Sequence, residues 1–139
     1  MKRLVTNDRA RVGQWVSERV GRLTPWISEA ALGLECDGEL VAGIVIDGYV
    51  KNARGSMHCA IANKYGMNRE FIFACFDYAF RVLDLKVLLN PVAESNAASL
   101  RFTQHMGFKE IARIPQAWDG EEALILFQLH RDDCRWLGV

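Results

Sequence analysis

The sequence predicts an α+β fold, a mixed sheet with helices on its faces, and three observations carry that reading. Two β-rich runs flank Asp37-Gly38, a tight-hairpin signal. Further on, Ile72, Cys75, Phe76, Ala79, Val82 and Leu83 recur at helical period. The short apolar run "KVLLNPV" follows that helix closely, so a right-handed crossover makes it parallel to the strand before the helix.

The elements follow in order. Asn7 or Asp8 caps a first helix over "RARVGQWVSERVGRL", where Val12, Trp15, Val16, Val20 and Leu23 share a face and Thr24-Pro25 supplies the stop. Strands are expected at about 29–36 and 39–49, and a third, "SMHCAIA", comes after the turn-rich "KNARG", completing an antiparallel three-strand meander. "REFIFACFDYAFRVLDL" reads as one central helix, its aromatics Phe71, Phe73, Tyr78 and Phe80 leaving little of it polar. After the parallel strand, a helix runs from about Asn96 to Met106 and stops at Gly107. "FKEIARIPQAW" and "EEALILFQLH", joined by Asp119-Gly120, close the chain as a hairpin. No linker or repeat divides these elements, and 139 residues suit one domain spanning 1–139.

Composition narrows the function. Lys plus Arg total 17 and Asp plus Glu total 17, so no global positive field gathers phosphate backbones, and nucleic acid is not an expected partner. No stretch nears the ~18 apolar residues of a membrane span, and the N-terminus lacks the apolar core of a signal peptide, so a cytoplasmic protein is expected. Cys36, Cys59, Cys75 and Cys134 stand at wide, irregular gaps without a C-x-x-C pair. Neighbouring His58 and Cys59 point to opposite faces of a strand, so free thiols in a reducing compartment are expected and no metal.

The element order, together with "VLLNPVAESNAASLRFTQHMGF", resembles the GCN5-related N-acetyltransferase (GNAT) superfamily over nearly the whole chain. In that family a strand is followed by polar residues, then Asn, two residues, Ala or Ser, and a later Gly-Phe; Asn96, Ser99, Gly107 and Phe108 stand at those places. The tail "EEALILFQLHRDDCRWL" resembles small phage- or prophage-type members. The family's pyrophosphate loop reads Gln or Arg, two residues, Gly, one residue, Gly or Ala. "NKYGMN" aligns with it: Asn63 replaces the Gln or Arg, Gly66 is kept, and Asn68 stands where a small residue is usual. Such a loop holds pyrophosphate on successive backbone N–H groups at a helix N-terminus. Asn68 suits a helix cap, and Lys64 and Arg69 add positive charge beside it.

The resemblance implies a three-layer α/β/α fold with a splayed central sheet, acetyl-CoA as cosubstrate and an amine as acceptor. Its pantetheine arm would enter between "MHCAIA" and "VLLNPV", where Pro91 fits the end of strand pairing. A backbone N–H from Cys59 to Ile61 would face the acetyl carbonyl, and Asn96 and Ser99 would hold the cofactor arm. His58 lies where the family often carries a Glu or another water-holding residue, and an imidazole can take a proton from an amine near neutral pH. Catalytic roles are therefore expected for His58 and Asn96, with Glu94 a weaker base. The family's acid is often a Tyr at the place of Thr103, a residue without useful acidity, which leaves water or His105 to protonate the thiolate. Trp15 reads as core, while Trp26 and Trp118 fall in loops that edge the acceptor groove. The acceptor is open, and the apolar "EALILFQL" invites pairing as an edge strand, hence a homodimer. From another class, Asn63, Asn68 and Thr103 speak for a degenerate relative that keeps the fold as a binding module.

Overall fold

A computed structural model of the chain describes residues 2–21, 26, 30–62 and 68–137. Seven strands form one sheet in the order β1-β2-β3-β4-β5-β7-β6. They are β1 (Lys2–Val5), β2 (Ala30–Cys36), β3 (Glu39–Val50), β4 (Arg54–Ile61), β5 (Val87–Ala93), β6 (Lys109–Ile114) and β7 (Leu124–His130), with helices α1 (Arg9–Val20), α2 (Arg69–Asp77) and α3 (Ala97–His105). The β4–β5 pair is parallel and the others are antiparallel, as the crossover through α2 requires. The expected mixed sheet is present.

β1 was not anticipated. Only Val5 of its side chains is buried, so the strand carries no alternation to read, and the meander has four strands rather than three. Helix α1 begins where Asp8 accepts from the Arg11 N–H, and it ends at left-handed Gly21. That is earlier than the expected stop at Thr24-Pro25, which lies outside the described residues.

Two apolar clusters flank the sheet. On one side Val12 and Val16 of α1 pack with Val5, Ala31, Leu40 and Val45. The approach is close because Gly33 and Gly43 have no side chain: a Cβ on Gly43 would sit 2.9 Å from a Val16 methyl, and one on Gly33 2.9 Å from Val12. On the other side lie α2, α3 and the Gly107-Phe108 junction. There Phe76 stacks on Phe80 at 6.2 Å between ring centroids and meets Phe108 at 6.3 Å.

The expected single helix over 69–85 is interrupted. It is α-helical to Asp77 and continues over Tyr78–Val82 as a π-helical turn, in which the Leu83 N–H reaches the Tyr78 carbonyl at 2.9 Å. The extra residue turns later side chains by about 100° from α-helical register. Phe80 is thereby fully buried, and Val82, expected in the apolar stripe, is left exposed.

The last two strands pair as expected, but Asp119-Gly120 is not a two-residue turn. Residues 115–123 form the connection, and the Asp119 carboxylate accepts from the N–H groups of Glu121 and Glu122 at 3.0 and 2.8 Å. β7 lies between β5 and β6, so it is an interior strand and not the edge expected from its composition. The C-terminal edge is β6, bulged between Glu110 and Ala112, with Ile111 and Ile114 at 47% and 43% exposure.

Glu35 on β2 is buried and paired to two arginines: Arg3 at 2.8 Å and Arg11, which tethers α1 to the sheet. The hydrogen bonds from Arg11, then Arg3, hold its carboxyl below the usual 4.5. A carboxylate whose folded pKa is lowered stabilises the fold above its unfolded pKa, and that stability is lost as pH falls through the folded value. The melting-temperature gap between the native protein and Glu35→Gln is therefore expected to be full above about pH 4.5 and to close in stronger acid. A gap that persists unchanged in acid would show that the pairing does not act through charge.

Candidate active site

β4 and β5 pair only through Arg54↔Val87, Gly55↔Leu88 and Ser56↔Leu89. Beyond that point β4 stays on β3 as far as Ile61↔Ala42, and β5 stays on β7 as far as Ala93↔Leu124. The two strands therefore part at Met57 and Asn90, just before Pro91, and the sheet opens. A cleft of about 560 Å³ occupies the opening, with Arg19 and Val20 of α1 on one wall, Cys59 to Ala62 along β4, and Asn96, Ser99 and Phe102 on the other wall. A throat of about 30 Å³ continues from it, lined by His58, Cys59, Asn90, Pro91, Thr103 and Trp118 among others.

The backbone of β4 supplies donors to this opening. The Ala62 N–H bonds to the Val41 carbonyl at 2.9 Å, so Ala60 and His58 turn their peptide groups toward β3. By alternation, the N–H groups of Cys59 and Ile61 face the opening. Asn96 stands at the start of α3, its side chain accepting from the Ser99 N–H at 3.1 Å, and both residues line the cleft.

Side chains on β4 divide between the two faces. Met57, Cys59 and Ile61 lie on the α2 side, whereas His58 lies on the α1 side, only 7% exposed, with its ring 4.8 Å from that of Trp26. Trp26 is itself anchored by an N–H to the Gly13 carbonyl at 3.0 Å. Desolvation pushes the Cys59 thiol up to about 12, so its sulfur is a neutral, apolar lining group near neutral pH.

Residues 35–118 match the family profile described as an acetyltransferase (GNAT) domain. The chain belongs to the GNAT acetyltransferase family. Solved GNAT structures carry the same fold. The ribosomal-protein-S18-alanine N-acetyltransferase of Escherichia coli superposes with a TM-score of 0.70 at 17% identity, over 94% of each chain. A spermidine/spermine N-acetyltransferase of Vibrio cholerae, in complex with manganese ions, gives 0.74 at 14% identity over 98% of this chain and 95% of that one. A dodecameric spermidine N-acetyltransferase from the same organism gives 0.73 at 15%, over 99% and 96%. No curated protein matches the sequence.

Of the residues singled out from the GNAT resemblance, His58, Cys59, Ile61, Asn96 and Ser99 come together around the cleft. Asn68 caps α2, accepting from the Phe71 N–H at 2.9 Å. Arg69 is exposed and lines a shallow groove with Phe73, Arg135 and Trp136. Asn63, Lys64 and Gly66 lie outside the described residues.

Two expected proton-transfer groups take other places. Glu94 is an exposed partner of Arg113 at 3.3 Å. His105 is on the far side of α3, its ring 6.0 Å from Trp136, because a residue two places after Thr103 on a helix faces away from it. Trp136 donates to the Met106 carbonyl at 2.9 Å, closing the end of α3. Trp15 packs half-buried against the α1 cluster, with the Arg19 guanidinium 3.9 Å over its ring.

Sequence reasoning missed Asn90. Its amide donates to the Thr103 hydroxyl oxygen at 2.9 Å, and Thr103 is 1% exposed. The signal was available: Asn90, half-buried in the structure, is the single amide inside the apolar run "VLLNPV", and an amide set among apolar neighbours calls for a partner.

Among the described residues no helix is long and apolar enough to cross a membrane, and no group of His, Cys, Asp and Glu has the geometry of a metal site.

Proposed function

We propose that residues 1–139 form one acyltransferase domain that moves the acetyl group of acetyl-CoA to a primary amine by direct attack in a ternary complex. The observation that carries this is the opening between β4 and β5, where the Cys59 and Ile61 N–H groups face the gap beside His58, Asn96 and Ser99. The opening has the dimensions and donors for an extended pantetheine arm, whose amides can pair with a strand edge that has lost its neighbour. The β4–α2 loop, through Asn63, Lys64 and Gly66, together with Asn68 and Arg69, is assigned to the pyrophosphate.

In the reaction the amine nitrogen attacks the thioester carbonyl carbon, and the carbonyl oxygen takes negative charge opposite the β4 N–H groups. His58, directly or through one water, accepts the proton that the nitrogen loses. The C–S bond then breaks, the amide forms, and the thiolate takes a proton from water. Asn96 holds the sulfur end of the arm. Cys59, kept neutral by its apolar surroundings, is no nucleophile, which fits transfer without a covalent enzyme intermediate. Holding the amine and thioester in near-attack geometry is worth about 7–11 kcal/mol of the barrier.

Acetyl-CoA at ~100 times its dissociation constant is expected to add about 2.7 kcal/mol of stability, visible as a rise in melting temperature. No rise at millimolar acetyl-CoA would overturn the reading. A second reading, a relative that binds the thioester without turning it over, draws on Thr103, whose hydroxyl oxygen is engaged by Asn90 where the family often has a Tyr. Binding without transfer to any of a panel of polyamines, amino-sugars and peptide N-termini would favour it. A cytoplasmic setting suits the four free thiols, and the Cys134-Arg135-Trp136-Leu137 end suits a phage- or prophage-type member. A homodimer, if formed, would use a surface other than the interior β7.

A further inference from the structure

We propose that the acceptor amine carries a carboxylate and that Arg19 is the residue that recognises it. The inference rests on the acyl-transfer reading above and adds the chemical class of the acceptor.

The side from which the amine arrives follows from the gap itself. On that reading the thioester oxygen meets the N–H groups of the β4 edge and the sulfur comes along the gap between β4 and β5, so both atoms lie in the plane of the sheet. The carbonyl carbon is attacked perpendicular to that plane, hence from one face of the sheet or the other. α1 packs on one face, and α2 and α3 on the other. His58, which takes the proton, lies on the α1 face against Trp26. The acceptor therefore occupies the α1 side, while the nucleotide end of CoA is assigned to the start of α2 on the opposite face.

Arg19 stands at the mouth of the cleft on the acceptor's side. It belongs to the last turn of α1 and lines both the cleft and a second, open groove of about 400 Å³ that runs past Trp15 and Gln14 to the hairpin tip at Gly38-Glu39. Among the described residues that line the cleft and its throat, Arg19 is the one permanently charged side chain, and none is acidic. Glu18 and Glu39 line the outer groove only. A diamine or polyamine entering the cleft would bring a second positive charge to this guanidinium with no carboxylate between them, a costly juxtaposition. An amino acid brings the opposite sign.

The guanidinium is also set in place before any ligand arrives. It lies 3.9 Å from the centroid of the Trp15 ring, and one N–H donates to the Trp15 carbonyl at 3.3 Å. Its other N–H groups have no acceptor among the described residues. Arg3 and Arg11, by contrast, are committed to Glu35. A held planar fork with open donors matches the two oxygens of a carboxylate, and little freedom is lost when they pair.

The test is turnover by the whole chain with acetyl-CoA, read as release of free thiol, over straight-chain ω-amino acids from glycine to aminohexanoate, their carboxamides and the diamines of matching length. For at least one acid, kcat/KM is expected to exceed that of its carboxamide and diamine by on the order of 10-fold or more, the worth of a hydrogen bond to a charged group. Arg19→Gln should bring that ratio near unity, Arg19→Lys should keep part of it, and Arg19→Glu should favour the diamines. All three variants should keep the native stabilisation by acetyl-CoA, with the unliganded melting temperature reporting that they fold. A native preference for diamines, or an unchanged ratio in folded Arg19→Gln, overturns the proposal. Loss of acetyl-CoA affinity in that variant does so too, by placing the guanidinium on the CoA phosphates. If no amine in the series is turned over, the melting temperature of the CoA-saturated protein decides: a rise with the acids and not with their carboxamides supports the proposal, and no rise overturns it. Failure of acetyl-CoA itself to bind overturns the transfer reading and the acceptor proposal with it.

Discussion

Replacing His58 by alanine is expected to lower kcat by about 10²–10⁴-fold, the usual range for a lost general base. The residue type suits the task because an unperturbed imidazole changes charge near neutral pH, where an alkylammonium acceptor remains protonated. Its place suits it too: His58 lines the throat on the side of the sheet that carries α1, Trp26 and Val20, away from the apolar wall of Cys59 and Ile61. In the native protein the rate should fall on the acid side as the imidazole takes up a proton. His58→Ala and His58→Gln should both lack that limb while retaining the stabilisation by acetyl-CoA. The glutamine variant guards against a simple packing defect, because His58 rests against the Trp26 ring and alanine leaves a hole there. A pH profile of kcat that keeps its acid limb in both variants would remove His58 as the base and leave a water held by other groups.

The largest effect on stability is expected at Phe76. Phe76→Ala removes a nearly inaccessible ring that stacks on Phe80 from the π-helical turn and meets Phe108 from the strand junction. Large-to-small changes of this kind cost about 3–5 kcal/mol. In a chain of this size that lowers the melting temperature by on the order of 10 °C. Because Phe108 follows Gly107, the same substitution should loosen the end of α3 and with it the wall of the cleft. Acetyl-CoA is then expected to stabilise the variant less than the native protein, in addition to the lower starting point. A loss under about 1 kcal/mol, measured by urea unfolding, would mean that Phe80 and Phe108 close the gap between them.

Much of the fold was legible in local chemistry. Asp37-Gly38 set a hairpin, Asn96 and Gly107 bounded α3, and the apolar period of 69–85 placed a helix against the sheet. The errors share a cause, in that each feature is decided by something beyond its own segment. β1 exists because the β2 edge offers hydrogen bonds, and three of its four side chains stay in solvent. The π-helical turn of 78–82 buries Phe80 and exposes Val82, a choice made by packing between α2 and the sheet. β7 looks like an edge strand by composition, yet the chain lays β6 outside it. His105 and Thr103 are both polar residues of one short helix, and only the direction α3 faces sends Thr103 into the throat and His105 to the surface.

By itself, then, the sequence determined the order of the elements after β1 and the parallel crossover through α2, because turns, caps and apolar periods are short-range properties, while His58, Asn96 and Ser99 were singled out by the resemblance to the GNAT family. The family resemblance put the end of β4–β5 pairing near Pro91, as observed; only the tertiary structure decided which face of the sheet carries His58 and which carries Cys59, and that Asn90 reaches across to Thr103. Those depend on contacts between segments far apart in the chain, and no local pattern records them.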